Sequence, residues 1–208
     1  MKLKLTILSA IFATAGCTTQ LDVAKTENTK ETKKPNVLIL IADDMGFSDI
    51  GAYGSEIQTP NIDKLAKQGA SFTNFHVGAT CSPTRTMLIS GVDNHLAGLG
   101  NMHEIMADNQ FGKPGYEGYL NTSVVSIATV LKDAGYHTYM AGKWHLGSNK
   151  ESIPYARGFE QSFALAESGA DNWVEMPYAP MYDRVHYFEN DKEVKLPTEN
   201  YYSSDFYT

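Results

Sequence analysis

The pattern of apolar and polar positions along the chain predicts strands that alternate with helices. Residues 36–42 (NVLILIA) form a nearly unbroken apolar run rich in branched side chains, and two acidic residues follow it directly. A run of this kind is typical of a strand that is buried on both faces, as in a parallel sheet. Residues 70–75 (ASFTNF) and 137–141 are shorter strand candidates.

Two stretches between these candidate strands have apolar residues at helical spacing. The first starts at Thr59, an N-cap followed by proline, and stops at Gly69. The second covers residues 123–134, with Ser123 as its N-cap and Gly135 as its stop. Strands that alternate with helices predict an α/β domain, in which ligands bind at the carboxyl ends of the strands.

Beyond Gly169 the chain shows little periodicity. It is rich in Tyr, Pro, Asn and Asp, which predicts a long surface excursion with no closing helix or strand before Thr208. Its tyrosine-rich residues 178–187 either line the entrance of a site or pack at the surface. No repeat and no second domain boundary is visible, so we expect residues 35–208 to form the N-terminal part of one domain, truncated at its C-terminal side.

Residues 1–16 are typical of an export signal. Lys2 and Lys4 precede an apolar run, residues 5–13, that is too short to span a bilayer as a helix. Residues 14–17 (TAGC) resemble the cleavage region of a bacterial lipoprotein signal, although threonine stands where leucine is preferred. This resemblance predicts that Cys17 is lipidated. An ordinary signal peptide with a structural Cys17 is the alternative.

Residues 17–34 are rich in Thr, Lys, Glu and Asn, which predicts a flexible tether because too little apolar surface is available for burial. Such a tether either holds an anchored protein away from the membrane or is a leader without a role. We therefore expect an exported protein, in the periplasm or at the cell surface, with a lipid anchor at Cys17.

Composition narrows the classes of partner. The chain has 208 residues, of which 42% are hydrophobic and 20% charged, as in an ordinary globular protein. Its formal net charge of -7 argues against a nucleic-acid partner, which would require neutralisation of phosphates. If Cys17 is lipidated, Cys81 is the remaining thiol. An unpaired cysteine in an exported protein is either buried and inert or present for its chemistry.

The adjacent carboxylates Asp43 and Asp44 directly follow the predicted strand at residues 36–42. Paired carboxylates at a strand end are suitable ligands for a hard cation such as Ca²⁺, which takes several oxygen donors. A solvated turn is the alternative for an isolated pair of this kind.

Residues 81–85 (CSPTR) precede a helical-looking stretch. Pro83 suits the first turn of a helix, so Cys81 is expected near a helix N-terminus. There the helix dipole and the charge of Arg85 favour a thiolate or a bound anion. Arg85 is also able to hold a tetrahedral oxyanion by paired hydrogen bonds. A buried, inert cysteine beside a surface arginine is the alternative.

Residues 142–147 (GKWHLG) place two ionisable side chains two positions apart. In an extended segment, Lys143 and His145 point to the same side. Lys143 offers a fixed positive charge, and His145 is able to donate or accept a proton. A pair of surface side chains without function is the alternative.

Taken in order, these three clusters resemble the type I sulfatases of the alkaline phosphatase-like superfamily. The resemblance extends from about Pro35 to the end of the chain. It is closest to the bacterial arylsulfatases in the segments CSPTRTMLISG, DNHLAGLG, GKPGYEG, AGKWHLG and ARGFEQSF. Many members have Ser or Ala where Thr84 stands. The resemblance implies an α/β fold, an alkaline phosphatase-like sandwich with a central, largely parallel sheet flanked by helices.

The resemblance also implies that a dedicated maturation enzyme oxidises Cys81 to formylglycine, an aldehyde. One hydroxyl of the hydrated aldehyde attacks the sulfur of a sulfate ester and releases the alcohol. The other hydroxyl then allows the carbon–oxygen bond to break, so that sulfate leaves and the aldehyde re-forms. A serine cannot carry out this step because it has no second hydroxyl. An oxygen of the modified Cys81 is also expected near a bound Ca²⁺.

Further roles follow from the same resemblance. Asp43 and Asp44 are expected to be calcium ligands, and Arg85 to anchor the formylglycine. Lys143 is expected to contact the sulfate and the aldehyde hydrate, and His145 to assist the elimination step. The family's other calcium ligands, an Asp-Asn pair, and another sulfate-binding His and Lys come later than residue 208. We therefore expect the fragment 1–208 alone to be inactive or nearly so.

Two other functions are compatible with these residues. Relatives of the same superfamily use the Cys-x-Pro-x-Arg aldehyde on phosphate or phosphonate esters, which share the tetrahedral geometry of sulfate. Alternatively, the protein is a non-catalytic lipoprotein that binds sulfated glycans, in which case Cys81 stays a thiol. The identity of the leaving alcohol is not encoded in these motifs.

Overall fold

The computed structural model describes residues 33–208 except residue 198. They belong to two compact units, one ending at Ala42 and the other covering Asp43–Thr208. The predicted export signal at residues 1–16, Cys17 and the tether up to residue 32 lie outside the described residues. None of the helices in the described part is long and apolar enough to cross a membrane.

The described part of the first unit, residues 33–42, contains no strand. Every residue of this stretch is exposed, with Leu38 at 82% and Leu40 at 76%. The prediction of a doubly buried strand at residues 36–42 is therefore wrong for this structure. A strand needs neighbouring backbone for its ladder of hydrogen bonds, which an apolar sequence does not supply by itself.

A second strand prediction is also wrong. Residues 70–75 form coil and bends instead of a strand, and the rings of Phe72 and Phe75 are exposed. Aromatic and β-branched residues favour a strand only where a partner strand packs beside them.

Two helices begin where the sequence predicts. Helix α1 (Pro60–Gln68) follows Thr59 and ends at Gly69. Helix α2 (Cys81–Ser90) has Cys81 as its first residue and ends at a glycine with φ 70°. Both predictions are confirmed because helix start and stop signals are local.

Helix α3 (Ile127–Asp133) begins later than predicted, with Ser126 in place of Ser123 as its N-cap. The Ser126 hydroxyl accepts a hydrogen bond from Thr129 N at 3.1 Å. It also donates to the carbonyl oxygen of Arg157, which is distant in sequence. The choice between two serines therefore depends on a tertiary contact.

Four strands form one sheet in chain order: β1 (Tyr139–Lys143), β2 (Gln161–Leu165), β3 (Tyr187–Glu189) and β4 (Lys192–Val194). Strands β1 and β2 are parallel, whereas β2–β3 and β3–β4 are antiparallel. The described part of the sheet is therefore mixed, with one parallel pair.

The position of β1 matters for the chemistry of the chain. Sequence analysis predicts this strand at residues 137–141, but it starts at Tyr139 and ends at Lys143. Lys143 consequently lies at the carboxyl end of a parallel strand, where α/β proteins bind their ligands.

One cluster of buried apolar residues holds the loop that follows β1. Its members are Ala97, Leu99, Leu120, Trp144, Leu146 and Ala164. Trp144 also donates its indole N–H to the carbonyl oxygen of Ser152 at 2.8 Å. Because Trp144 and Leu146 alternate with Lys143 and His145, packing of the apolar pair restrains the two ionisable residues.

The prediction of a surface excursion beyond Gly169 is wrong for its last part. A second buried cluster contains Leu165, Val185, Tyr187, Leu196 and Tyr201. The β3–β4 hairpin extends the sheet, and a short helix, α4 (Ser203–Phe206), follows. Strands β3 and β4 have three residues each, which is too short for a periodic signal in the sequence. Their formation therefore depends on pairing, of β3 with β2 and of β4 with β3.

Single turns of 3₁₀ helix connect the longer elements: Phe47–Asp49, Gly51–Tyr53, His103–Ile105 and Tyr155–Arg157. The turn at His103–Ile105 places Glu104, which contacts the loop after β1.

Candidate active site

The N-terminus of α2 positions Cys81 and Arg85 one helical turn apart. Cys81 is a half-buried free thiol. The guanidinium of Arg85 is 10% exposed, and its Nη1 donates to the carbonyl oxygen of Lys143 at 2.6 Å. This hydrogen bond ties the start of α2 to the carboxyl end of β1, so two of the sequence clusters meet.

Asp43, from the third of the sequence clusters, contacts both Arg85 and Lys143. Its Oδ2 accepts a hydrogen bond from Nζ of Lys143 at 2.6 Å, and its Oδ1 lies 3.5 Å from Nη2 of Arg85. The carboxylate is 40% exposed, whereas both cations are nearly buried. Residues that are 42 and 58 positions apart along the chain therefore form one charged group.

The pKa of Asp43 reflects these neighbours. Burial raises the pKa of this carboxyl, but the hydrogen bond and charge of Lys143 and the charge of Arg85 lower it more. A hydrogen bond with the Cys81 thiol lowers it further. The net pKa lies below its ordinary value, so Asp43 is ionised and able to bind a cation near neutral pH.

Asp43, Asp44 and Cys81 form the one group of potential metal ligands among the described residues. One ligand atom from each side chain lies within 4.8 Å of the others. Asp44 is exposed and has φ 55°, a left-handed conformation that is uncommon outside glycine. Two carboxylates suit a hard cation such as Ca²⁺, so this donor set fits the metal that the sequence predicts.

His145 contacts a different carboxylate from the one that Lys143 contacts. Its Nε2 is 3.0 Å from Oε1 and 3.3 Å from Oε2 of Glu104. Both side chains are buried, at 7% and 6% exposure. His145 has φ 56°, which interrupts the two-residue alternation of an extended segment. The two ionisable residues of the GKWHLG segment therefore bind different carboxylates.

A cavity of about 210 Å³ borders this histidine. Its wall includes Ser82, the residue after Cys81, together with Glu104, His145 and Tyr182. The cavity therefore extends from the start of α2 to the buried histidine. The Tyr182 hydroxyl accepts a hydrogen bond from Ser168 N at 3.3 Å, and burial raises the pKa of its phenol above the ordinary range.

The structure groups most of the site residues that the sequence predicts. Asp43, Asp44, Cys81, Arg85 and Lys143 lie together, whereas His145 lines the neighbouring cavity. Sequence analysis does not predict Glu104 or assign Tyr182 a partner. No local signal identifies either residue, because the Glu104–His145 contact spans 41 positions.

Comparison with known proteins identifies the family of the chain. The Sulfatase family model matches residues 35–208. An uncharacterized sulfatase of Schizosaccharomyces pombe is 46% identical over 188 residues, covering 85% of this chain and 34% of the relative. An arylsulfatase of Klebsiella aerogenes is 40% identical over 179 residues, covering 85% of this chain and 38% of the relative.

The crystal structure of Ps i-CgsB superimposes with a TM-score of 0.67 at 31% sequence identity, covering 84% of this chain and 39% of that one. This similarity confirms the predicted alkaline phosphatase-like α/β fold. The chain spans 34% and 38% of the two curated relatives, so it corresponds to about a third of their length. The match over residues 35–208 shows that the chain belongs to the sulfatase family.

Proposed function

We propose that the whole protein hydrolyses sulfate esters in the manner of an arylsulfatase, with a nucleophile made from Cys81. The observation that supports this most directly is the convergence of Asp43, Arg85 and Lys143 beside the first residue of α2. Family membership and the 40% identity to an arylsulfatase point to the same reaction.

The charges at this site suit an anionic ester. A sulfate ester gains negative charge on its oxygens and on the leaving alcohol during hydrolysis, and preformed cations stabilise that charge. Lys143, which already donates to Asp43, is placed to donate to a sulfate oxygen as well. Arg85 is held by the Lys143 carbonyl, and its proposed role is to orient the residue at position 81.

Cys81 is proposed to be converted to formylglycine by a maturation enzyme. In its hydrated form this group supplies one hydroxyl for attack on sulfur and a second for release of sulfate. The chain's own contribution is to hold that side chain at a helix N-terminus, where the dipole favours a negative charge. Lys143 adds a positive charge next to Asp43.

Asp43, Asp44 and Cys81 are proposed to hold Ca²⁺. The bound cation supplies positive charge that neutralises sulfate and favours an ionised hydroxyl. The two carboxylate oxygens of Asp43 already contact Arg85 and Lys143. These oxygens would therefore contact the bound metal in addition to the two side chains.

Mass spectrometry of the peptide that contains Cys81 tests the nucleophile. Full-length protein is coexpressed with a formylglycine-generating enzyme and digested. Oxidation of the thiol to the aldehyde lowers the peptide mass by about 18 Da, from the covalent change alone. An intact thiol, in a preparation where a control substrate is converted, contradicts the proposal and favours a sulfate-binding protein without catalysis.

Turnover tests the reaction class. We expect the mature protein to release alcohol from an aryl sulfate faster than from the matching phosphate monoester or diester. Faster phosphate release would assign the protein to the phosphoester-cleaving relatives instead.

Export and anchoring form a separate proposal. The charged and apolar pattern of residues 1–16 and the position of Cys17 support a lipid anchor that holds residues 35–208 outside the cytoplasm through the tether. Replacement of Cys17 by Ser is expected to release the protein from the membrane fraction. Unchanged membrane association of this variant would contradict the anchor.

A further inference from the structure

The His145–Glu104 pair is the most buried histidine–carboxylate pair in the part of the chain that the structure describes. His145 and Glu104 are 7% and 6% exposed, whereas the ring of His137 in the His137–Glu160 pair is 79% exposed. The other two pairs, His95–Asp93 and His186–Glu167, are also more exposed. Burial of two ionisable groups is costly unless their contact is maintained.

The ionisation state of Glu104 determines which ring nitrogen of His145 bears a proton. Burial by itself raises the pKa of Glu104, but the hydrogen bond and charge of His145 outweigh it and hold the pKa at about 2. An ionised carboxylate accepts hydrogen bonds and donates none. Nε2 of His145 forms the hydrogen bond with Oε2 at 3.3 Å and therefore bears the proton of this contact.

The other ring nitrogen of His145, Nδ1, has a different environment. Nδ1 of His145 is buried and has no hydrogen-bond partner among the described residues. A buried ring nitrogen without a partner costs free energy, and a reacting group that bonds to it removes that cost. The cavity beside His145 extends to Ser82, next to the proposed nucleophile.

We propose that Glu104 is a positioning residue that keeps a proton on Nε2 of His145, so that Nδ1 is the nitrogen that exchanges protons during catalysis. This inference rests on the proposed sulfatase function. Nδ1 accepts one proton from the reacting hydroxyl, which leaves an imidazolium, and then releases that proton to water. Glu104 stays ionised throughout, and its hydrogen bond with Nε2 restrains the orientation of the His145 ring.

Other titratable side chains line the same cavity and are part of the environment of His145. They are His103, Glu117, Tyr119, Glu167 and Tyr182. Glu167 is already paired with His186. Glu104 is the carboxylate that contacts the His145 ring, so it is the one expected to determine the tautomer.

Nitrogen-15 NMR of full-length, matured, calcium-loaded protein with labelled histidine measures the tautomer directly. We expect Nε2 of His145 to stay protonated over the whole titration while Nδ1 gains and loses its proton. His145→Gln identifies the signals by their loss. A neutral His145 with its proton on Nδ1 would overturn the proposal, and this measurement needs no catalytic activity.

Glu104→Gln tests the consequence for catalysis. We expect kcat for 4-nitrophenyl sulfate to fall about 10- to 100-fold with KM little changed, the range for removal of an orienting partner. The matched control is Glu160→Gln, which breaks the exposed histidine pair and is expected to keep wild-type kcat. A wild-type kcat in Glu104→Gln would overturn the proposal.

The two proposals fail in different ways. If wild-type protein shows no sulfate-ester turnover but Nε2 keeps its proton, the sulfatase function fails and the tautomer assignment stands. If wild-type turnover is present and Glu104→Gln is unaffected, the sulfatase function stands and the role of Glu104 fails. Circular dichroism of each variant separates misfolding from loss of chemistry, and the wild-type NMR decides the tautomer even if Glu104→Gln does not fold.

Discussion

Asp43 and Glu104 are both carboxylates with basic neighbours, yet their surroundings differ in a way that suits different tasks. Asp43 is 40% exposed and shared between two permanent cations, Lys143 and Arg85. Glu104 is 6% exposed and paired with one histidine, whose charge depends on pH. The exposed carboxylate is able to exchange partners with a metal or a substrate, whereas the buried one is held to a single partner. We therefore propose that similar ion pairs act as a binding group in one place and as an orienting group in the other.

The largest effect is expected at Cys81, which groups with Asp43 and precedes Ser82 in the cavity wall. Cys81→Ala removes the proposed nucleophile, and we expect kcat of the full-length enzyme to fall by at least about 10³-fold, as in other enzymes without their nucleophile. The substitution is small and the side chain is half-buried, so the melting temperature should change little. Substantial remaining turnover would assign the nucleophile to another residue.

Asp43→Asn tests the proposal that the Asp43 carboxylate binds the metal. Loss of one negative charge from the proposed metal site should weaken Ca²⁺ binding and lower kcat by about 10²-fold or more, in the range for removal of one electrostatic group. Isothermal titration with Ca²⁺ measures the first effect, and Asp108→Asn, at an exposed position, is the control. Unchanged calcium affinity would place the metal elsewhere.

Glu104→Gln also has a consequence for stability. The pKa of Glu104 is lowered from 4.5 to about 2 in the folded protein. A carboxyl with a lowered folded pKa stabilises the fold above its unfolded pKa, and this contribution is lost as pH falls from about 4.5 towards 2. At neutral pH it is on the order of 3 kcal/mol.

Urea unfolding of wild type and Glu104→Gln at a series of pH values measures this contribution. We expect the difference in the free energy of unfolding to be largest near neutral pH and to shrink below about pH 4. A difference that does not change with pH would mean that Glu104 acts through packing and not through its charge.

The smallest effect is expected for Tyr182→Phe. It removes the hydroxyl that accepts a hydrogen bond from Ser168 N in the cavity wall that also contains Glu104, which should cost about 1 kcal/mol of stability and lower kcat by less than tenfold. Tyr139→Phe, at an exposed position of β1, is the matched control and should change neither quantity. An effect as large as that of Glu104→Gln would show that the tyrosine contacts the reaction directly.

Elements with a local signal in the sequence form where they are predicted. The start of α2 at Cys81 follows from Pro83, and the end of α1 follows from Gly69. Elements that depend on a residue distant in sequence differ from the prediction. Ser126 and not Ser123 caps α3 because Ser126 reaches the Arg157 carbonyl.

The candidate site shows the same division. Asp43, Cys81, Arg85 and Lys143 were predicted because residue type, spacing and order along the chain resemble a known family. Glu104 follows His103 in the sequence, a pair without a metal-binding spacing, so nothing local distinguishes it from a surface glutamate. Its burial and its contact with His145 depend on the fold.

The family motifs, the starts of α1 and α2 and the residue types available for chemistry follow from the amino-acid sequence, because each is carried by neighbours within a few positions. The tertiary structure alone decided which carboxylate meets which base. Asp43 reaches Lys143 across 100 positions and Glu104 reaches His145 across 41. Such contacts arise from packing of the core around Trp144 and Leu146, and burial then changes the pKa of the groups it encloses.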